Sequence, residues 1–242
     1  MRRHLSNEWM DDPAVNPREL AQALSFIRAV NRRLGGEAAL LHHLRAWSQH
    51  WPRGQTITLL DIGTGSADLP IAASRWARSA GFDLRITAID LHERTLECAR
   101  SHINTSGATN IELLRADALC LANHFGVDSF DYVHAGMFLH HLPDVQVMTV
   151  LAAMDRVARR GIIWNDLIRS RLAWLAIQAI TLGQSAMIRH DARVSVEAGF
   201  TRRDVLDIRH RLDLTYTRWR SSFLTQRFTL AGEKPHMSLS SR

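Results

Sequence analysis

Residues 58–73 read TLLDIGTGSADLPIAA, an apolar run that passes into a glycine-rich turn and then into a helix-forming stretch. A strand that ends in such a turn lets backbone pass close to a ligand at the strand's carboxyl end, with Gly63 and Gly65 supplying the access. The next apolar run ends ITAID, which puts Asp90 beside the same crevice, where its carboxylate can accept hydrogen bonds from two ribose hydroxyls.

Outward from this turn, the runs Thr56–Asp61, Leu84–Asp90, Asn110–Arg115, Asp131–Ala135 and Gly161–Asn165 have the length and composition of strands, mostly separated by segments of helical period. Alternation of this kind implies a parallel sheet. After Phe200 a short helix is expected. Asp213–Trp219 and Gln226–Ala231 then form an antiparallel hairpin at one sheet edge. The expected fold is α/β, a Rossmann-like, mostly parallel seven-stranded sheet with an antiparallel edge strand. Two helices precede it: one capped by Asn16 with Pro17 at its first position and ended by Gly35-Gly36, and one from about Glu37 to Trp51. The boundary is expected near Gly54, with residues 1–54 as an N-terminal helical lid segment and 55–242 as the main domain.

The charge around the turn selects among nucleotides. Asp61 precedes the glycines and Asp68 follows them. Two carboxylates repel a pyrophosphate but suit a cationic ligand with ammonium and sulfonium groups, such as S-adenosylmethionine.

With DIGTGSAD as a first motif, AIDLH at the second strand end, RADAL after the third and FDYVHAGMFLHHLPD across the fourth, the sequence resembles the class I S-adenosylmethionine-dependent methyltransferases from about Leu59 to Asp166. That resemblance implies S-adenosylmethionine as cofactor. Asp61, Gly63 and Gly65 would then face its methionine part, Asp90 and Leu91 the ribose and adenine, Asp117 the adenine amino group with Ala118 stacking nearby, and Ala135 the end of the fourth strand. Ala67 departs from the family's third glycine. MDDPAV near the start, NDLIRSRLAW and HDARVSVEAGFT are similar to bacterial small-molecule methyltransferases acting on polyketide or phenolic acceptors. LHHLPD is similar, more loosely, to the quinone-biosynthesis methyltransferases. Both imply an aromatic or polyketide-like acceptor, methylated on oxygen in the first case and on ring carbon in the second; oxygen is expected here.

A hydroxyl acceptor must lose a proton, for which an imidazole is suited at neutral pH. His141, with His140 beside it, follows the fourth strand, and His190 with Asp191 offers a base and its orienter. Asn165 and Asp166 at the fifth strand end are candidate acceptor contacts. LAWLAIQAITL, residues 172–182, is too short to span a bilayer and is expected to be a lid helix whose Trp174 and Ile177 line an apolar acceptor pocket, with Leu5, Trp9 and Met10 closing it from the other side. No metal site is expected, because the fourth strand ends Ala135-Gly136 with no carboxylate.

The whole composition fits a soluble chain. Its 242 residues are 46% hydrophobic and 22% charged, which excludes a disordered chain. Cys98 and Cys120 are too few for a disulfide framework and fit a reduced cytoplasm, and no apolar run is long enough for a membrane span. The formal charge of +6 comes from scattered arginines, with Lys234 the one lysine. A small-molecule partner is therefore expected rather than nucleic acid, and a monomer or homodimer. An RNA or protein methyltransferase, motivated by Arg202, Arg203, Arg209, Arg211, Arg218 and Arg220, and a non-catalytic binding module are the competing classes.

Overall fold

The computed structural model describes residues 2–235; the outer ends of the two expected segments, Met1 and residues 236–242, lie outside it. Asn16 caps α1 (Pro17–Arg33), its side chain accepting from the Arg18 N–H as the sequence implies, and α2 (Gly36–Trp47) follows a left-handed Gly35. The body then runs β1 (Thr56–Ile62), α3 (Asp68–Ala80), β2 (Asp83–Asp90), α4 (Glu93–Ser106), β3 (Ile111–Arg115), α5 (Leu121–His124), β4 (Phe130–Gly136), α6 (Asp144–Val157) and β5 (Ala158–Leu167). The chain closes with α7 (Arg171–Ile180), α8 (Ala186–Ala198), α9 (Arg202–Arg211), β6 (Arg218–Ser222) and β7 (Arg227–Glu233).

The seven strands are ordered β3-β2-β1-β4-β5-β7-β6. The pairs from β3 to β5 are parallel. β7 runs antiparallel to both β5 and β6, so the reversed strand sits one place in from the edge and β6 forms the edge itself. Crossovers on both sides of β1 bring the carboxyl ends of β1 and β4 together with a cleft above them, where ligands bind in open α/β sheets.

One expected strand changes. Residues 213–217 turn instead of extending: Asp213 is left-handed at φ +52°, and the Arg209 guanidinium holds the Thr215 and Thr217 carbonyls, so β6 begins only at Arg218. The polar stretch around His190 is helical, capped by Ser185 accepting from Ile188 N–H; its Ile188, Val194, Val196 and Ala198 are buried.

Apolar burial holds the layers together. On one side Trp164 of β5 packs edge-on against Phe200 and Phe228. On the other, Leu40, Leu44 and Trp47 of α2 share a core with Ile57, Leu59 and Tyr132, Trp47 stacking on Tyr132 at 4.9 Å. Within the segment before Gly54, α2 thus shares the sheet's own core, while α1 packs through Ala23 against Met187 and Ile188 of α8.

Candidate functional site

Over the carboxyl ends of β1, β2 and β4 lies a cavity of about 330 Å³. The expected cofactor residues Asp61, Gly63, Gly65, Asp68, Asp90, Leu91, Asp117 and Ala118 all line it; Ala135 is fully buried and does not. At its place the wall is made by Gly136, Met137 and Phe138, beyond the strand end.

The glycine turn is shaped as its residues dictate. Gly63 and Gly65 have φ of +65° and +55°, and a Cβ on Gly63 would stand 2.5 Å from the Phe138 ring. Ala67, at the departure from the glycine pattern, also adopts a left-handed φ of +57°, which costs an L-residue about 1 kcal/mol. Asp90 Oδ2 accepts from Gly65 N–H at 3.0 Å and Oδ1 from His92 N–H at 3.1 Å. Burial, outweighing these bonds, raises its pKa. Asp68 Oδ2 accepts from Asn31 Nδ2 at 2.9 Å, and Asn31 in turn accepts from buried Arg227, so α1, α3 and β7 are tied together beneath the cavity. Asp117 accepts from Leu119 N–H at 2.9 Å.

At the far end of the cavity stands a cluster that sequence reading only partly found. His140 Nδ1 lies 2.7 Å from Asp166 Oδ1, and His141 Nδ1 lies 3.2 Å from Asp11 Oδ2. Both Nε2 atoms face Glu8 Oε1, at 3.7 and 3.9 Å. Glu8 is buried and accepts from the Ser195 hydroxyl. Burial alone would raise the Glu8 pKa, but the two imidazoles hold it down to about 2. Burial would lower both imidazoles; Asp166 keeps His140 raised, and Glu8 with Asp11 pushes His141 up to about 10. A ring that keeps its proton that far is not poised as a base at neutral pH, which counts against the role expected of His141.

Glu8 carried no local signal, because it arrives on an N-terminal strap more than 130 residues away in sequence from the histidines. Arg3 anchors that strap, donating to the carbonyls of His140 (3.1 Å), Leu142 (2.9 Å) and Ala198 (2.8 Å) and lying 4.3 Å over the Phe200 ring. Asp191 finishes the placement by accepting from Trp9 N–H and Met10 N–H at 2.8 and 3.0 Å.

A smaller apolar chamber adjoins the cavity, sharing Glu8, Met10, Ile27, Asn31, Met137 and Ser195 as a common wall. Ile177 of α7 lines it, and so do Phe26 and Val30 of α1. Of the expected acceptor contacts, Met10 and Asp191 are on its wall. Trp174 is outside both spaces, its indole N–H donating to Glu197 at 2.9 Å. His190 pairs with Asp191 at 2.9 Å as expected, yet it stacks on Trp9 at 4.2 Å and lines neither space. Asn165 and Asp166 are fully buried beneath the floor, Asp166 acting through His140. Leu5 is exposed.

Residues 59–161 match a family described as a methyltransferase domain. This stretch is a class I methyltransferase domain. A demethylmenaquinone methyltransferase of Bacillus subtilis is 37% identical over 102 residues, 42% of this chain and 41% of the relative, so the chain matches less than half the length of that protein. The methyltransferase fold extends further than the sequence likeness. A SAM dependent methyltransferase from Aquifex aeolicus superposes with a TM-score of 0.58 at 16% identity, over 90% of this chain and 98% of that one. The magnesium protoporphyrin IX methyltransferase of Synechocystis, with bound SAH, superposes at 0.58 and 14% identity, over 84% of this chain and 85% of that one. Among the described residues, no helix is long and apolar enough to cross a membrane.

Proposed function

We propose that the chain transfers a methyl group from S-adenosylmethionine to the hydroxyl oxygen of a small, largely apolar aromatic or polyketide-like acceptor, with residues up to Gly54 serving as the lid. The observation that carries this reading is the pairing of two spaces: a cavity lined by carboxylates at the glycine turn, and an apolar chamber that shares its far wall.

S-adenosylmethionine fits the residues present. Gly63 and Gly65 leave room for close backbone approach, Asp61 and Asp68 favour an ammonium and a sulfonium, and Asp90 keeps lone pairs for ribose hydroxyls beyond the two N–H bonds it accepts. Leu91, Ala118 and Leu119 offer apolar surface to a purine, with Asp117 beside it. The donor supplies an already activated methyl group, so the protein's work is alignment and exclusion of water.

The acceptor's apolar body fits the chamber beside Ile27, Met137 and Ile177, with its oxygen toward Glu8, His140 and His141. Hydrogen bonds from the imidazoles favour the oxyanion there. The O–CH3 bond forms as the S–CH3 bond breaks, the electron pair stays on sulfur, and the hydroxyl proton leaves to solvent. Methylation at a ring carbon is the second reading, supported by the named activity of the Bacillus relative; the same ionised ring would then attack through carbon.

Calorimetry should find S-adenosylmethionine bound by the wild type and at least about tenfold more weakly by Asp90→Ala, which loses the ribose contacts. Binding of NAD or ATP without S-adenosylmethionine would overturn the reading. A panel of phenols, resorcinols and quinols with labelled donor, and fragmentation of the product, decides between oxygen and carbon.

A further inference from the structure

One possible ligand atom from each of Glu8, His140 and His141 lies within 4.8 Å of the other two, and all three residues line the cavity. The two distances to Glu8, 3.7 and 3.9 Å, are too long for hydrogen bonds. They exceed by a few tenths the edge of about 3.4 Å expected in a tetrahedral site with bonds of about 2.1 Å.

The tautomers follow from the other ring nitrogens. An ionised carboxylate only accepts, so His140 Nδ1–H donates to Asp166 and His141 Nδ1–H donates to Asp11. In the neutral rings both Nε2 atoms then present lone pairs toward a buried carboxylate. Such an arrangement is repulsive unless positive charge sits among the three atoms. Two ring protons supply it in one form. A divalent cation replaces those two protons with no change in net charge.

We propose that Glu8, His140 and His141 form a binding site for a divalent first-row transition metal of the zinc type, with its remaining positions open to the cavity. Two imidazoles and one carboxylate are the donor set of an open zinc site. Both rings are also backed by carboxylates, the arrangement that orients metal-binding histidines. The carboxylate missing from the end of β4 is supplied by the N-terminal strap, which is why the sequence spoke against a metal. The site stands on these three residues independently of the methyl-transfer reading, and it would take the acceptor's hydroxyl or enol oxygen as a further ligand.

The test uses the full chain stripped with a chelator, dialysed against Zn²⁺ and, in parallel, followed by electronic spectroscopy with Co²⁺. The wild type should take up one equivalent of Zn²⁺ that Glu8→Gln binds at least about tenfold more weakly. The Co²⁺ spectrum should change in His141→Ala. Binding of S-adenosylmethionine by the same samples, measured by calorimetry, shows that each variant is folded. Equal Zn²⁺ uptake by wild type and Glu8→Gln, or a Co²⁺ spectrum untouched by His141→Ala, overturns the metal site and leaves methyl transfer standing. A wild type that takes up Zn²⁺ through Glu8 but does not bind S-adenosylmethionine would keep the metal site and remove methyl transfer.

Discussion

Asp61 and His134 stand opposite one another in the β1–β4 register, and His134 Nδ1 meets Asp61 Oδ1 at 2.5 Å inside the sheet. The carboxylate that opens the glycine turn is therefore oriented from the neighbouring strand. His134 Nε2 is buried without a hydrogen-bond partner among the described residues, so the ring's polar contact is spent on Asp61. His134→Leu should weaken S-adenosylmethionine binding by about tenfold, the worth of one buried charge-assisted bond. His134→Asn, whose amide can still donate, should recover part of that loss. Calorimetry on both variants checks it, and unchanged affinity in His134→Leu would remove the positioning role.

How much was legible in the sequence depends on how local each contact is. The strand–turn–helix at residues 58–73 and Asp90 at the next strand end were readable, because each is decided by a few consecutive residues and by the parallel order of neighbouring strands. Asp166, expected as an acceptor contact, is fully buried and meets His140 Nδ1 with its carboxylate, a partner that no run of consecutive residues announces. Trp174 and Ile177 are less than one helical turn apart, and periodicity alone could not say which would find the chamber and which a partner on α8. Glu8 carries no such local signal, because its carboxylate meets Ser195 of α8, far away in sequence, on a strap held by Arg3 and Asp191.

Gly63 has no room for a side chain. A methyl group there would meet Phe138 at 2.5 Å and would also hold a left-handed backbone against its preference. Gly63→Ala should lower stability by about 1–2 kcal/mol and abolish detectable S-adenosylmethionine binding, because Phe138 must swing into the cavity it now borders. Ala67→Gly, by contrast, relieves a strained residue and should be neutral or stabilising by up to about 1 kcal/mol. Urea unfolding of the two variants reads both effects, and equal behaviour would show that the turn does not discriminate them.

The apolar chamber makes a prediction that separates two residues of one helix. Ile177→Ala removes lining and should raise the acceptor KM by about tenfold, while leaving the affinity for S-adenosylmethionine unchanged. Trp174→Ala breaks the bond to Glu197 and should cost about 1 kcal/mol of stability with little change in either constant. Steady-state kinetics with the acceptor found in the panel decides, and an effect of Trp174→Ala on KM as large as that of Ile177→Ala would contradict the chamber assignment.

His43, on α2 behind β7, sets an acid limit that has nothing to do with catalysis. Burial, with lesser repulsion from His42, Arg220 and His134, lowers its pKa to about 4, and its Nε2 lies 2.9 Å from Thr229 Oγ1. The folded chain therefore holds a neutral imidazole where the unfolded chain, with a pKa of about 6.5, takes up a proton. Between pH 6.5 and 4 the unfolded state binds more protons than the folded one, so stability falls as pH falls through that window, by up to about 3 kcal/mol from this residue. Above pH 6.5 the ring is neutral in both states and contributes no slope. His43→Gln cannot titrate and should flatten this part of the profile while keeping a donor for Thr229. Urea midpoints at pH 7.5 and 4.5 provide the comparison: carboxylates elsewhere affect both proteins alike, so the difference between their slopes belongs to His43, and parallel slopes would show that the ring is not held neutral in the folded chain.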